Sequence, residues 1–427
     1  MRSGTPSPAY RLRCLEALET ALERTPLYAS WRGRDPGAAA DLDARFAALP
    51  VLTKADIRAH FPRGLVPDGM DLDAGLASGE VSYVRTGGTE EEALTNIWNQ
   101  AWWDGSERAS WTLNKAAARA ATGTHREAIL ASALSVGPRS QGGPLPMESR
   151  LLGRFLFLNE YPTPAPWSPE HMRRMLEELD RYKPDVLEAN PSYLFRLARF
   201  ARQRGRGIFQ PSLIVLTYEL PSVLHLRAIS RVFRCPVASS YGSTEAGYVL
   251  MECECGRMHQ NAETCRLDFV PLTAAPQIGS VYVTTFGNRW FPLLRFDIGD
   301  LVRPSAAPCP CGRNGAMSFE AVEGRRSSMT LSVDGRPVTQ RELDLALAGV
   351  DGIAEYALVQ PAPGRYGLRI VKAEDAVRPV VDAARETLLE LYGPGADLEI
   401  VEVDDLQPAK SGKFLTAWRG FPLERGR

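Results

Sequence analysis

An amphipathic helix is the clearest periodic element in the middle of the chain. Ser168 followed by Pro169 is typical of a helix start, with the serine as N-cap and the proline at the first helical position. Apolar residues then recur at i, i+3, i+4 and i+7, and they are Met172, Met175, Leu176 and Leu179. Because this spacing places them on one face, a helix that packs against a core is predicted to run up to Pro184.

Strands and helices alternate after this helix. Short strands are predicted at residues 186–187 and 213–216, with a helix over 190–205 between them. A helix over 221–233 and a strand at 237–238 continue the order. Such alternation predicts a parallel sheet whose loops, at the carboxyl ends of the strands, carry ligand-binding groups.

The pattern changes beyond residue 278. Strands are predicted at 281–283 and within 291–303, and beyond Gly324 the order is strand, helix, two strands, helix and strand. Together with a helical first fifty residues, this order predicts an α/β fold class with two domains. A large N-terminal domain over 1–323 has parallel-rich sheets and helices, and a small α+β domain covers 324–427.

Composition and charge exclude several classes of protein. The 427 residues are 44% hydrophobic and 24% charged, as in ordinary globular proteins. A net charge of -1 excludes the broad electrostatic attraction on which binding to nucleic acid or to an anionic membrane depends. No apolar stretch approaches the roughly 18 residues that span a bilayer, and no apolar run follows the basic start, so a cytoplasmic protein is predicted.

The cysteines are clustered, which favours a metal site over a disulfide framework. Five of the seven fall between residues 253 and 311. Three thiolates and one imidazole in this stretch form the ligand set of a closed, structural zinc site, and the predicted ligands are Cys253, His259, Cys309 and Cys311. Cys255 could replace one of the four, and a cluster of free cysteines is the alternative.

A short motif after the strand at 237–238 has the residue types of a nucleotide site. In Ser239–Glu245, the ring of Tyr241 can stack on a purine, Gly242 permits close backbone approach, and the Glu245 carboxylate can hold Mg²⁺. Alone, the motif is more typical of a turn with an N-cap. Asp300 at a strand end could accept hydrogen bonds from ribose hydroxyls, and Lys413 lies in a polar turn near the C-terminus.

Three such elements in this order resemble the adenylate-forming enzymes. The likeness is to the phenylacetate-CoA ligase-like branch, which contains aryl-CoA ligases and coenzyme F390 synthetases, and it is strongest over 161–325 and 404–413. The resemblance implies that Tyr241 binds adenine, Thr244 the acyl phosphate and Glu245 Mg²⁺, with Gly242 and Ser243 also in the ATP site. Members of this branch with a zinc site strengthen the zinc prediction.

The resemblance also assigns roles outside this motif. Asp300 is implied as the ribose ligand, Arg325 as a further ATP contact, and Lys413 as the catalytic cation. In the family, the small domain is a mobile lid that rotates between two half-reactions. Ser327 stands where the family commonly has aspartate at the hinge, which puts that rotation in doubt here.

The phosphate loop departs from the family pattern. In place of Ser-Gly-Thr-Thr-Gly the chain has Thr86-Gly-Gly-Thr89-Glu90, followed by Glu91 and Glu92. Thr86 and Thr89 are the expected ATP contacts. Three carboxylates beside a triphosphate would repel it, unless Mg²⁺ intervenes or the side chains point to solvent.

The resemblance implies an ATP-dependent ligase that converts a carboxylic acid, expected to be an aryl acid, into an acyl adenylate. Coenzyme A is the expected acceptor, and ATP, Mg²⁺ and a structural Zn²⁺ are the expected cofactors. Transfer to a carrier protein or to an amine is left open, as is a non-catalytic zinc-containing binding protein of the same fold. A homodimer is also left open.

Overall fold

The computed structural model describes residues 7–86, 94–120, 123–205, 207–273, 277–374, 376, 379–409 and 411–422. Within these ranges the α-helices are α1 Pro8–Arg24, α2 Leu42–Ala48, α3 Lys54–His60, α4 Leu72–Ser78, α5 Gln100–Trp111, α6 Lys115–Ala120, α7 Met147–Arg150, α8 Pro169–Tyr182, α9 Pro191–Gln203, α10 Val223–Val232, α11 Gln340–Ala348 and α12 Val380–Tyr392. Two 3-10 helices lie at Pro26–Arg34 and Arg63–Leu65.

The strands in the same ranges are β1 Ser82–Arg85, β2 Thr95–Trp98, β3 Glu127–Leu130, β4 Leu151–Leu152, β5 Phe155–Phe157, β6 Val186–Ala189, β7 Leu213–Leu216, β8 Val237–Ser243, β9 Gly247–Glu252, β10 Met258–Gln260, β11 Cys265–Pro271, β12 Gly279–Thr285, β13 Phe296–Pro304, β14 Ser318–Arg325, β15 Thr330–Leu331, β16 Pro337–Val338, β17 Ile353–Ala362, β18 Arg365–Lys372, β19 Asp397–Val403 and β20 Ala417–Arg419. None of the helices among the described residues has the length and apolarity needed to cross a membrane.

Two compact units make up the chain, and each is built from two separate stretches. The first unit comprises residues 1–122 and 238–321, and the second comprises 123–237 and 322–427. The domain boundary predicted between residues 323 and 324 stays a prediction.

In the first unit the strand order is β11-β12-β13-β14-β10-β9-β8. Arg295, just before β13, ties the N-terminal segment to this sheet. Its backbone has φ of 52°, and its guanidinium donates hydrogen bonds to the carbonyl oxygens of Ala47 (3.0 Å) and Leu49 (2.6 Å). Leu52 is bonded to the main chain of Arg295 and of Asp297, so the segment after α2 is held against the strand.

In the second unit the strands follow the order β7-β6-β3-β5-β4. Strands β3, β6 and β7 are parallel, which confirms the alternation predicted from the sequence. Helix α8 begins at the predicted position because the Ser168 hydroxyl accepts a hydrogen bond from the backbone N–H of His171 (3.2 Å). Met175, Leu176 and Leu179 are fully buried with the side chains of α9 and β7, as the helical spacing predicts.

A second sheet in this unit has the order β19-β18-β17-β20. Helices α11 and α12 pack on it, and Leu224 from α10 joins the same apolar core. The order α11, β17, β18, α12 and β19 agrees with the α+β pattern predicted beyond Gly324, while the two short strands β15 and β16 stand where one strand was predicted and β20 is additional. The α/β fold class is therefore confirmed.

Two expectations about local structure are wrong. Residues 239–243 are not in a loop, because β8 continues through Ser243 and pairs with β9. In the first helix, the sequence spacing predicts an apolar face of Tyr10, Leu12, Leu15, Leu18 and Leu22, but Leu12 is 56% exposed, whereas Cys14 and Leu18 are buried. The buried face of α1 is thus rotated relative to the leucine pattern.

Candidate functional site

The motif Ser239–Glu245 lies on a β-hairpin in the first unit. Strand β8 ends at Ser243, a turn covers residues 244–246, and β9 returns from Gly247. The Ser243 hydroxyl accepts a hydrogen bond from the backbone N–H of Ala246 (3.2 Å), which closes the turn. Thr244 and Glu245 therefore lie at the tip of the hairpin, where Thr244 is half-buried and Glu245 is buried.

Gly242 is required by the close approach of the two hairpin strands. A Cβ atom at this position would lie 2.1 Å from the carbonyl oxygen of Gly247 and 3.1 Å from the Cα of Tyr248. A β-bulge between Tyr241 and Gly242 accompanies this approach. The sequence predicted close backbone approach by Gly242 toward a ligand, and the structure adds that the partner strand itself leaves no room for a side chain.

Tyr241 and Asp300 come together although 59 positions separate them. The Tyr241 hydroxyl donates a hydrogen bond of 2.9 Å to Asp300 Oδ2. Asp300 lies on β13 directly after Gly299, whose φ of +88° is one that favours glycine. The backbone N–H of Gly299 also donates to Asp297 Oδ1 (3.0 Å), which fixes the bend before Asp300. An aromatic ring and a carboxylate are thereby placed side by side.

The expected phosphate loop is described only in part. Thr86 follows β1, and its hydroxyl accepts a hydrogen bond from the backbone N–H of Leu94 (3.0 Å). Thr89 and Glu90 to Glu92 lie outside the described residues. The roles of Thr86 and Thr89 as ATP contacts stay predictions.

Arg325 and Lys413 belong to the second unit. Arg325 ends β14 directly after Gly324, where a Cβ atom would lie 2.7 Å from the Cβ of Gln340 at the start of α11. Lys413 closes a tight turn, because its carbonyl oxygen accepts a hydrogen bond of 2.8 Å from the N–H of Ala409. The roles assigned to these two residues stay predictions.

The neighbours of Lys413 contact two residues whose part in holding this segment was not predicted from the sequence. The Tyr193 hydroxyl donates to the carbonyl oxygen of Gly412 (3.1 Å), and the backbone N–H of Phe414 donates to Glu219 Oε1 (2.9 Å). Both contacts join residues about two hundred positions apart, so no local pattern could have predicted them.

The four predicted zinc ligands form one cluster in the first unit. The ligand atoms of Cys253, His259, Cys309 and Cys311 all lie within 4.8 Å of one another. The sulfurs of Cys253 and Cys309 are 3.6 Å apart, and Cys311 Sγ is 3.3 Å from His259 Nε2. Cys255 is exposed and is not among these four.

Two short turns hold the sulfurs in place. Cys309 and Cys311 flank a proline before Gly312, which has φ of +81°, and the N–H of Gly312 bonds the Cys309 carbonyl oxygen (3.1 Å). Backbone N–H groups also point at the sulfurs, from Cys255 to Cys253 Sγ (3.4 Å) and from Arg313 to Cys311 Sγ (3.5 Å). Burial raises the pKa of Cys253 to about 11, so without a positive charge nearby this thiol stays protonated.

The dimensions of this cluster fit a tetrahedral zinc ion. Zn–S bonds of about 2.3 Å in a tetrahedron place two sulfurs roughly 3.8 Å apart, close to the 3.6 Å between Cys253 and Cys309. Burial and the nearby Arg313 lower the pKa of His259, which keeps its imidazole neutral and able to act as a ligand. Four protein ligands would leave no position for substrate, which is typical of a structural site.

Solved structures with a similar fold include a CoA ligase and an amide bond synthetase. The chain resembles 2-hydroxyisobutyryl-CoA ligase in the postadenylation state with 2-HIB-AMP, with a TM-score of 0.67 and 19% identity over 92% of this chain and 85% of that one. It also resembles the amide bond synthetase McbA from Marinactinospora thermotolerans, with a TM-score of 0.52 and 14% identity over 95% and 91% of the two chains. The chain therefore has the fold of the adenylate-forming ligases.

A curated relative points to one branch of that class. The chain is 24% identical over 399 residues to phenylacetate-coenzyme A ligase from Thermus thermophilus. The aligned region covers 90% of this chain and 82% of the relative. No protein-family profile matches the chain. The resemblance to the phenylacetate-CoA ligase-like branch, drawn from the motifs, is confirmed by this similarity.

Proposed function

We propose that this protein is an ATP-dependent acid–CoA ligase. In the first step a carboxylate oxygen attacks the α-phosphorus of ATP, and the bond to pyrophosphate breaks to leave an acyl adenylate. In the second step the thiol of coenzyme A loses its proton and attacks the acyl carbon, and AMP leaves. The observation that carries the proposal is the bonded pair of Tyr241 and Asp300 beside the hairpin of Thr244 and Glu245.

The hairpin and β13 supply the groups for binding ATP. The Tyr241 ring would lie against adenine, and Asp300 would accept hydrogen bonds from the ribose hydroxyls. The main chain of Gly242 and Ser243 would lie against the nucleotide, and the Thr244 hydroxyl would donate a hydrogen bond to the phosphate. Anchoring the nucleoside in this way fixes the α-phosphorus relative to the acid, which contributes to rate by orientation.

Positive charge is needed where the phosphate charge develops. Glu245 would hold Mg²⁺, which neutralises charge on the phosphates when it is bound. Lys413 would place its ammonium beside the attacking carboxylate and the α-phosphate, and Arg325 and the hydroxyls of Thr86 and Thr89 are the further ATP contacts. Preorganised charge of this kind is commonly the largest single contribution to such catalysis.

A zinc ion would stabilise the first unit and take no part in the reaction. Cys253, His259, Cys309 and Cys311 would be its ligands, since their atoms lie within 4.8 Å of one another. Ligand deprotonation and metal binding would add their free energy to that of folding.

The deciding experiment is a panel of carboxylic acids scored by ATP-dependent pyrophosphate release, with and without coenzyme A. An aryl acid is the expected substrate class, and AMP with an acyl-CoA are the expected products. Adenylate that forms but does not react with coenzyme A would redirect the proposal to a carrier-protein or amine acceptor. No pyrophosphate release together with no ATP binding by calorimetry would overturn it in favour of a zinc-containing binding protein. A cytoplasmic location and a homodimer stay predictions.

A further inference from the structure

The segment around Lys413 is held by hydrogen bonds on both of its flanks. On the N-terminal side, the carbonyl oxygen of Gly412 accepts from the Tyr193 hydroxyl at 3.1 Å. On the C-terminal side, the N–H of Phe414 donates to Glu219 at 2.9 Å. Tyr193 lies in the first turn of α9, and Glu219 lies three residues after β7. Both groups are thus presented at the carboxyl ends of adjacent parallel strands, where α/β folds place their functional residues.

The N-terminal contact is a close one. Gly412 has φ of +80°, and a Cβ atom there would lie 2.4 Å from the Pro162 carbonyl oxygen and 2.8 Å from Ser132 Oγ. The Ser132 hydroxyl donates to that Pro162 oxygen at 2.6 Å, and the Tyr193 hydroxyl reaches the same oxygen at 3.2 Å in addition to the Gly412 oxygen at 3.1 Å. Tyr193 is fully buried, and burial raises the pKa of its phenol, so the hydroxyl stays protonated and donates to Gly412.

The C-terminal contact depends on a carboxyl that the protein itself fixes. Glu219 Oε2 accepts a hydrogen bond of 2.7 Å from the Ser192 hydroxyl, which leaves Oε1 aimed at the N–H of Phe414. Burial raises the pKa of Glu219, and the hydrogen bonds from Ser192 and Phe414 oppose that rise. The guanidinium carbon of Arg196 lies 3.9 Å from the centroid of the Phe414 ring. This contact adds a second restraint on Phe414.

We propose that Tyr193 and Glu219 are positioning residues for adenylate formation, which act by fixing the main chain on both sides of Lys413. The inference rests on the proposed function, in which the Lys413 ammonium stabilises the reacting phosphate. A lysine side chain has four rotatable bonds, so the position of its ammonium depends on where the fold fixes the backbone that carries it. A misplacement of about 1 Å can cost a catalytic group on the order of 10² in rate.

The test compares two half-reactions in matched variants. Tyr193→Phe and Glu219→Ala should each lower the rate constant of adenylate formation by about tenfold to a hundredfold, with the KM for ATP unchanged. Transfer from a chemically made acyl adenylate to the acceptor should stay within about twofold, because the family resemblance implies that Lys413 is withdrawn in that step. Glu219→Gln keeps an acceptor for the Phe414 N–H and should recover most of the lost rate.

Two control variants remove equivalent contacts elsewhere in the second unit. Tyr182→Phe deletes a hydroxyl that donates to the Arg154 carbonyl oxygen at 2.7 Å. Asp344→Ala deletes a buried carboxylate that accepts from the Val223 N–H at 2.7 Å and from a tyrosine hydroxyl. Both should lower thermal stability as much as the test variants do, and neither should separate the two half-reactions.

Two further measurements show whether the effect passes through Lys413. In the Lys413→Ala background, Tyr193→Phe should cause no additional loss of adenylation, because the group that it positions is already gone. Hydrogen exchange at the Phe414 amide should accelerate in Glu219→Ala and stay protected in Asp344→Ala.

Failure of this inference and failure of the proposed function give different results. Wild-type protein that releases no pyrophosphate with any acid would overturn the function, while hydrogen exchange would still decide whether these contacts hold the segment. An active wild type, an inactive Lys413→Ala and full adenylation by both Tyr193→Phe and Glu219→Ala would overturn the positioning role alone. Additive losses in the double variant would overturn it as well.

Discussion

Gly242→Ala should greatly lower the rate of adenylate formation while most of the protein stays folded. The added Cβ would lie 2.1 Å from the Gly247 carbonyl oxygen, whereas ordinary contacts begin at 3.4 Å. The two strands of the hairpin would therefore have to move apart by about 1.3 Å, the difference between these two distances. The obstacle is a backbone atom, which a change of rotamer cannot remove.

The size of the effect follows from where that movement occurs. Overpacking of this kind typically costs about 1–3 kcal/mol of stability, and each kcal/mol lowers the unfolding midpoint by about 2–4 °C in a unit of this size. The same movement displaces Tyr241, Thr244 and Glu245 by about 1 Å. Because an error of that size can cost about 10² in rate, adenylate formation should fall about a hundredfold while most of the protein stays folded.

The assay is ATP–pyrophosphate exchange with the best acid from the panel, accompanied by a thermal melt. Gly367→Ala is the matched control, since Gly367 also lies in a strand but its Cβ would have as its nearest neighbour the Val359 carbonyl oxygen at 4.0 Å. That control should keep both its rate and its melting midpoint. A Gly242→Ala variant with wild-type rate and wild-type KM for ATP would refute the assignment of this hairpin to the nucleotide.

Three further predictions concern the catalytic cation, the metal and pH. Lys413→Ala should lower adenylate formation by about 10² to 10³, measured by pyrophosphate exchange, and should leave transfer from a synthetic adenylate intact. Cys309→Ser should reduce zinc content by elemental analysis and the melting midpoint together, whereas Cys255→Ser, in which the exposed cysteine outside the cluster is changed, should alter neither. Burial and then the charge of Arg174 lower the pKa of His171 to about 4. The unfolded state therefore takes up more protons below about pH 6.5, so stability should fall from there towards pH 4, and His171→Asn should flatten that dependence in melts across this range.

Each of these has its own contradicting result. If Lys413→Ala lost equal activity in both half-reactions, Lys413 would not act in adenylate formation alone. If this variant formed the adenylate at the full rate, Lys413 would have no part in the mechanism. Wild-type protein without zinc would reject the metal site, and loss of chemistry in folded Cys309→Ser would indicate a catalytic metal. An unchanged pH dependence in His171→Asn would show that other groups cause it.

Local chemistry explains which parts of the fold could be predicted. Helix α8 and strand β7 were predicted because a capping serine, helical spacing and a short apolar run each act within a few residues. The metal cluster was predicted for a similar reason, since a Cys-Pro-Cys-Gly turn brings Cys309 and Cys311 close by itself. That Cys255 is exposed and is not among the four clustered residues could not be predicted from spacing alone.

The remaining parts of the site depend on contacts between distant segments. Tyr241 and Asp300 each had a predicted role, but their mutual hydrogen bond arises only when β13 lies in the same sheet as β8. The contacts of Gly412 and Phe414 with Tyr193 and Glu219 depend on tertiary packing alone. Extension of β8 through the motif was missed because Gly242 and Ser243 have weak strand preference and pair only through β9.

The division of each unit into two stretches has a consequence for synthesis on the ribosome. Residues 1–122 are synthesised before the strands of residues 238–321 that complete their unit. The segment after α2 can be bound by Arg295 only after about 240 further residues have been synthesised. The second stretch differs, because its apolar core of α8, α9 and β7 is contained within residues 123–237 and can pack early. The N-terminal stretch is therefore the one that is exposed longest during translation and most in need of protection by a chaperone.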